Sequence, residues 1–322
     1  MLLTLPLTLF IVMAELSVGA FTVLFVLDWR NEVKRSFLIT YALIYLVLTG
    51  LTYLFQQGFS PPELLNTYSQ LDKAWTGYLS LPLLLFLLLM LPYNLFLWLD
   101  HSAGVDGRQK EEIHVSRLRL LRLISGALVV LAGLVTLFVL AMIYRPLAAA
   151  NLGGVLTVAS FFAAALALGG VMTAMWLGHW YLVTPALSEK PLLFATTLVL
   201  LGVLIQIIFA FSGGSGIIPA RASQAATPTV TATATTAVPA GTPAVNAPTK
   251  PANIPVVTPL STGALGWLRI LIGFILPLVL GGLAWKLVRD RSFQSATGML
   301  YLVVVCALAG EAMARGLFLM GL

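Results

Sequence analysis

Residues 3–27 read LTLPLTLFIVMAELSVGAFTVLFVL, an apolar run with a single charge, Glu15, near its middle. A helix of about 20 apolar residues crosses the roughly 30 Å hydrocarbon core of a bilayer, so this stretch is long enough to span one and leaves its carboxylate far from bulk water. Stretches of the same character follow at 37–55, 76–99, 120–143, 153–177, 192–212, 264–287 and 296–319. They predict an all-α, polytopic membrane bundle of eight transmembrane helices and leave no segment long enough for a soluble domain of ordinary size.

Composition points the same way. Of the 322 residues, 59% are hydrophobic and only 9% charged, against about 25% charged in soluble domains. The formal charge of +6 does not mark a nucleic-acid binder, because the basic residues lie in short clusters between apolar spans and read as topology signals. The single cysteine, Cys306, permits no intrachain disulfide and no cysteine set for an intrinsic iron–sulfur cluster.

The first span lacks the basic n-region of a signal peptide, its positive charges following it, and so reads as a retained helix. With the N-terminus outside, the inner segments hold Arg30, Lys34, Arg35, Arg108, Lys110, Arg117, Arg119, Arg122, Lys190, Lys286, Arg289 and Arg291, twelve of the 18 basic residues. This positive-inside bias places the chain in the plasma (inner) membrane with both termini extracytoplasmic. Trp29, Trp75, Trp98, Trp180, Trp267 and Trp285 fall near span ends, as an interfacial belt requires.

Residues 213–262 are of a different kind, rich in Thr, Ala and Pro. Such a segment buries too little apolar surface to offset its ordering entropy and reads as a disordered extracytoplasmic linker, a candidate for O-glycosylation. It divides the chain into a six-helix region, 1–212, and a two-helix region, 263–322, that packs with the first. Gly19, Thr22 and Trp29 recur at the same spacing as Gly170, Thr173 and Trp180, which suggests two parallel four-helix halves.

Few residues can carry chemistry. Glu15 and Glu311 lie within apolar spans, and a carboxylate at mid-bilayer costs about 2.5–3.5 kcal/mol on insertion scales, so each is expected to face protein or trapped water. Glu311 and Arg315, four apart, share a helix face. They form either an ion pair buried for packing or a proton-accepting, quinone-binding site. His101, His114 and His179 all fall on the inner side, and a His101–His179 pair could hold a haem b, but only His179 approaches the depth that haem ligands occupy, and interfacial hydrogen bonding suits them better. Pro82, Pro92 and Pro277 are expected to kink their helices, Asn94 and Gln206 to bond between helices, and Gly19, Gly169, Gly170, Gly281 and Gly282 to permit close helix approach. No phosphate loop, zinc-protease motif or nucleophile elbow is present, so no catalytic residue is assigned and any catalysis is shared with a partner.

The segment LPLTLFIVMAELSVGAF, 5–21, resembles the first helix of the membrane-anchor subunits of dimethyl-sulfoxide-reductase-type respiratory enzymes. The segment AGEAMARGLF, 309–318, resembles the Gly-Glu-x-x-x-Arg-x-x-Phe ending of the same anchors. The resemblance is strong over about a sixth of the chain. It implies a subunit that binds quinol near the outer face and passes electrons to an iron–sulfur subunit and thence to a molybdenum-containing catalytic subunit, with Glu15, Glu311 and Arg315 at the matching positions. The Thr/Pro-rich linker and the Gly-His-Trp-Tyr segment at 178–181 depart from that pattern. A small-solute transporter and a non-catalytic membrane scaffold are the competing functions, the first motivated by the suggested repeat and the mid-membrane acids.

Overall fold

In the computed structural model, residues 4–105, 117–148, 152–184, 187–212 and 262–322 are described. The first helix, α1 (Leu5–Arg30), begins with Pro6 in its first turn, where the missing N–H costs nothing, and ends at Asn31 in a left-handed conformation (φ 54°). Apolar on every side, it has no face suited to water, and it buries 72% of its most apolar window, against 28% for the span Gly263–Arg289. α1 is therefore a central helix.

Around it run α2 (Arg35–Phe59), the short helices α3 (Pro62–Leu65) and α4 (Lys73–Thr76), α5 (Ser80–Leu99) and α6 (Arg117–Tyr144). Then come α7 (Leu152–Val183), α8 (Lys190–Phe211), α9 (Thr262–Arg269), a π-helical turn at Ile270–Ile275, α10 (Leu276–Arg289) and α11 (Phe293–Phe318). Eight spans long and apolar enough to cross a membrane result, with α9, the π turn and α10 forming the seventh. All described elements are helical.

The spans close into two rings. α1, α2, α5 and α6 pack in a cycle, as do α7, α8, α10 and α11. The rings meet chiefly through α1 on α7, flanked by α1 on α11 and α6 on α7. The last two spans thus complete the second ring instead of standing apart. At the crossing of α1 and α7, a Cβ on Gly19 would fall 1.8 Å from the Ala165 carbonyl oxygen, and one on Gly169 would fall 2.1 Å from the Gly19 backbone. Only hydrogens at these positions let the two helices approach so closely. Ser17 and Thr52 join α1 to α2 at 2.9 Å, and Tyr45 and Thr173 join α2 to α7 at 3.2 Å.

Several sequence expectations are corrected here. α7 runs on to Val183 rather than stopping at 177. Pro82 sits in the first turn of α5, where proline fits without breaking a bond, while Pro92 alone lies inside that helix. Pro277 follows the π turn, whose wider winding absorbs the bond that proline cannot donate. Gly282 has nothing within 4 Å of a built Cβ, so it mediates no close approach. Gly170 faces Leu198 and Val199 of α8, whereas Gly19 faces α7, so the matched glycines do not occupy equivalent environments although the two rings have the same connectivity. The expected linker falls almost entirely on residues outside those described.

The start of α1 and the end of α11 lie at one end of the bundle, and Arg30, Lys34, Arg35, Lys190 and Arg289 at the other. At the basic end, Arg291 pairs with Glu189 at 2.6 Å, joining the connection before α8 to the one before α11. The Glu189 backbone N–H, and after it the Arg291 guanidinium, hold that carboxyl below the usual carboxylate range. Being exposed, the pair is screened by solvent.

Candidate functional site

α1 and α11 bring the two ends of the chain into contact. Arg315 is buried between two carboxylates: its Nη2 donates to Glu15 Oε1, and its Nε lies 2.8 Å from Glu311 Oε1. The second contact is ionic in distance, but the N–H is poorly aimed and makes no proper hydrogen bond. Glu15, Glu311 and Arg315 are 0%, 7% and 4% exposed, so both carboxylates face the bundle interior as their cost in lipid demands. The guanidinium lies over the Phe161 ring of α7, 3.9 Å from its centroid, and that ring stacks on Tyr144 of α6. Four helices from both rings therefore enclose one charge.

Further groups complete the cluster. Gln206 Nε2 of α8 donates to Glu311 Oε2 at 2.8 Å, so the expected interhelical bond ends on a carboxylate. Arg269, at the end of α9, is 5% exposed and lines the same space. Glu15 Oε2 is buried with no hydrogen-bond partner among the described residues. Two carboxylates and two guanidiniums make the cluster formally neutral, which is how so many ionisable groups can share a dry site.

A cleft lined by Ser160, Gln206, Arg269, Glu311, Arg315 and Phe318 opens beside this cluster. As it stands the cleft is narrow, with room for about one water. A neighbouring cleft of about 310 Å³ shares Gln206, Arg269 and Glu311 and is walled by Phe274, Gly273 and Gly310. A Cβ on Gly310 would lie 2.3 Å from the Gly273 Cα, so the π turn and α11 touch backbone to backbone one residue from Glu311. π turns of this kind are frequent at functional sites.

The site lies toward the end of the bundle that carries the termini. Glu15 is about 15 Å along α1 from its first residue. His101 and His179 are placed elsewhere: both are exposed, and α5, which precedes His101, is not a ring neighbour of α7, which carries His179. No group of three or more metal-ligating side chains occurs among the described residues.

Sequence reasoning missed a second charged cluster. At the basic end of the first ring, Arg122 of α6 is 1% exposed, with Nη1 2.6 Å from Asp100 and Nη2 3.2 Å from Asp28. Tyr93 of α5 donates to Asp28 Oδ2 at 3.0 Å, and the Ser102 backbone N–H donates to Asp100 Oδ1 at 3.0 Å. Arg122, read in the sequence as one more topology charge, instead clamps α1, α5 and α6 together. The signal available was the pair Asp28 and Asp100, each an acid closing an apolar span. Arg269, not among the twelve inner-side basic residues, carries no sequence signal of its place in the site. Against family models, curated proteins and solved structures alike, the chain finds no match.

Proposed function

We propose that this chain is the integral membrane-anchor subunit of a respiratory oxidoreductase, binding quinol or quinone beside Glu15, Arg315 and Glu311 and passing electrons to an iron–sulfur partner subunit. One observation carries the reading. The two segments that resemble the anchor family, with Glu15 and Arg315 300 residues apart, meet in a single buried, ion-paired site next to a cleft. A quinone site needs apolar walls for the ring and a polar group able to take a hydroxyl proton. Phe274 and Phe318 supply the walls, and Glu311, which lines both clefts, supplies the acceptor. Since the first cleft holds about one water, a ring enters only as the cleft widens.

On this reading the protein resides in the plasma membrane with both termini and residues 213–262 on the extracytoplasmic side, because the basic clusters lie at the other end. In a Cys306→Ser background, Ser69→Cys should then react with a membrane-impermeant maleimide in intact cells, and Ser188→Cys only after permeabilisation. The reverse pattern would invert the proposed orientation. Function is tested by purification from the native membrane in mild detergent, which should recover iron–sulfur and molybdenum-containing subunits with bound quinone. Recovery of the chain alone and quinone-free, under conditions that preserve such complexes, would overturn the proposal.

A further inference from the structure

We infer that Arg269 and Gln206, together with Glu311, form the polar grip on the oxygen of a bound quinone or quinol ring; this rests on the quinone reading of the site. These three side chains alone of the ionisable and amide groups line both clefts, so they form the shared wall between them. Arg315 lines only the first, and Glu15 lies behind Arg315 and borders neither. The grip is assembled from three helices by backbone geometry. The π turn begins immediately after Arg269, and its Gly273 meets Gly310 with no side chain between, which sets Arg269 and Glu311 on one wall. Gln206 reaches that wall from α8 and is already bonded to Glu311 at 2.8 Å.

The chemistry fits a ring that changes between two oxygen forms. A guanidinium and an amide N–H donate to a carbonyl oxygen, while a carboxylate accepts from a hydroxyl, so one wall can hold the oxidised and the reduced ring alike. Phe318 lines the first cleft and Phe274, over which the Arg269 guanidinium lies at 5.4 Å from the centroid, lines the second, so each cleft offers an aromatic surface beside the polar wall. Arg269 and Gln206 are thus binding residues that the resemblance at the chain ends does not contain.

Equilibrium dialysis of the full chain, in its purified complex where one forms, tests this with two short-tailed probes, decylubiquinone and a menaquinone analogue. The unsubstituted protein should bind at least one. Arg269→Gln and Gln206→Leu, in protein that still inserts and folds, should each weaken that binding about tenfold. Tyr301→Phe, on the exposed side of α11, should leave it unchanged. If Arg269→Gln fails to insert, Arg269→Lys keeps the charge but loses the planar fork and should still weaken binding several-fold. Folded Arg269 and Gln206 variants that bind as tightly as the unsubstituted protein would overturn the inference and leave the quinone reading standing. Binding of neither probe by the unsubstituted protein would remove the quinone reading and this inference with it.

Discussion

Arg315 is the residue on which the site's electrostatics turn. Its guanidinium contacts both Glu15 and Glu311, and all three are at least nine-tenths buried. Removing one partner from a buried ion pair leaves the other charge uncompensated and typically costs about 3–5 kcal/mol. Arg315→Leu should therefore lower the melting temperature in detergent sharply and reduce the yield of inserted protein. Glu15→Gln should cost less, because the amide oxygen still accepts from the guanidinium and a neutral group replaces the orphaned charge. Equal losses in the two variants would show that packing rather than charge sets the stability of this junction. The importance of Glu15, Glu311 and Arg315 could be read from charges lying in apolar runs, and the Glu311–Arg315 pair from its spacing; the contact of Arg315 with Glu15 could not, because nothing in spacing relates positions 300 residues apart.

Among the elements, α11 and the π turn depend on close backbone contact. A methyl on Gly310 would lie 2.3 Å from the Gly273 Cα, a distance that only movement of a whole helix can relieve. Gly310→Ala should accordingly destabilise the bundle and shift Arg269 away from Glu311, although alanine is by itself the better helix former by about 1 kcal/mol. Gly282→Ala, with open space around the new Cβ, should show that propensity gain and be neutral or stabilising. Thermal melts of the two variants provide the check, and a stable Gly310→Ala protein would show that the contact gives way at little cost. Helix identity and approximate ends were legible because each span must satisfy its own backbone in lipid and therefore announces itself by length and apolarity. The π turn was not legible as such: Pro277 marked a disturbance, but its form follows from the packing of Gly273 on Gly310.

At the scale of the molecule, the final two spans are held by the second ring. α10 packs on α8 and α11, α11 packs on α7 and α1, and Trp285 bonds to Thr197 at 3.2 Å. These contacts lie between helices that the connecting segment does not include. A chain of about 50 residues with the Thr/Ala/Pro composition of 213–262 would, as a flexible coil, reach on the order of 35–45 Å root-mean-square, more than neighbouring helix ends need. Replacing residues 222–255 by a short Gly/Ser linker should therefore leave insertion, melting temperature and partner recovery unchanged. Failure of that protein to assemble would make the segment a structural or docking element.

The sequence by itself determined that the chain is a bundle of eight membrane helices, which of its few charges would have to be sheltered, and where the basic end lies. It could do so because lipid leaves almost no alternative: backbone groups must pair within a helix, and a charge must find a partner. Tertiary structure alone decided which partner each charge finds. Arg122 looked like one basic residue among twelve at the inner side, yet it is buried between Asp28 and Asp100, and Arg269 joined the cleft of Glu311 through a π turn. Pairing of this kind depends on the rotation and crossing of helices far apart in the chain. Those are set by small residues such as Gly19 and Gly169 at the α1 and α7 crossing, whose spacing in the sequence records that helices touch but not which ones.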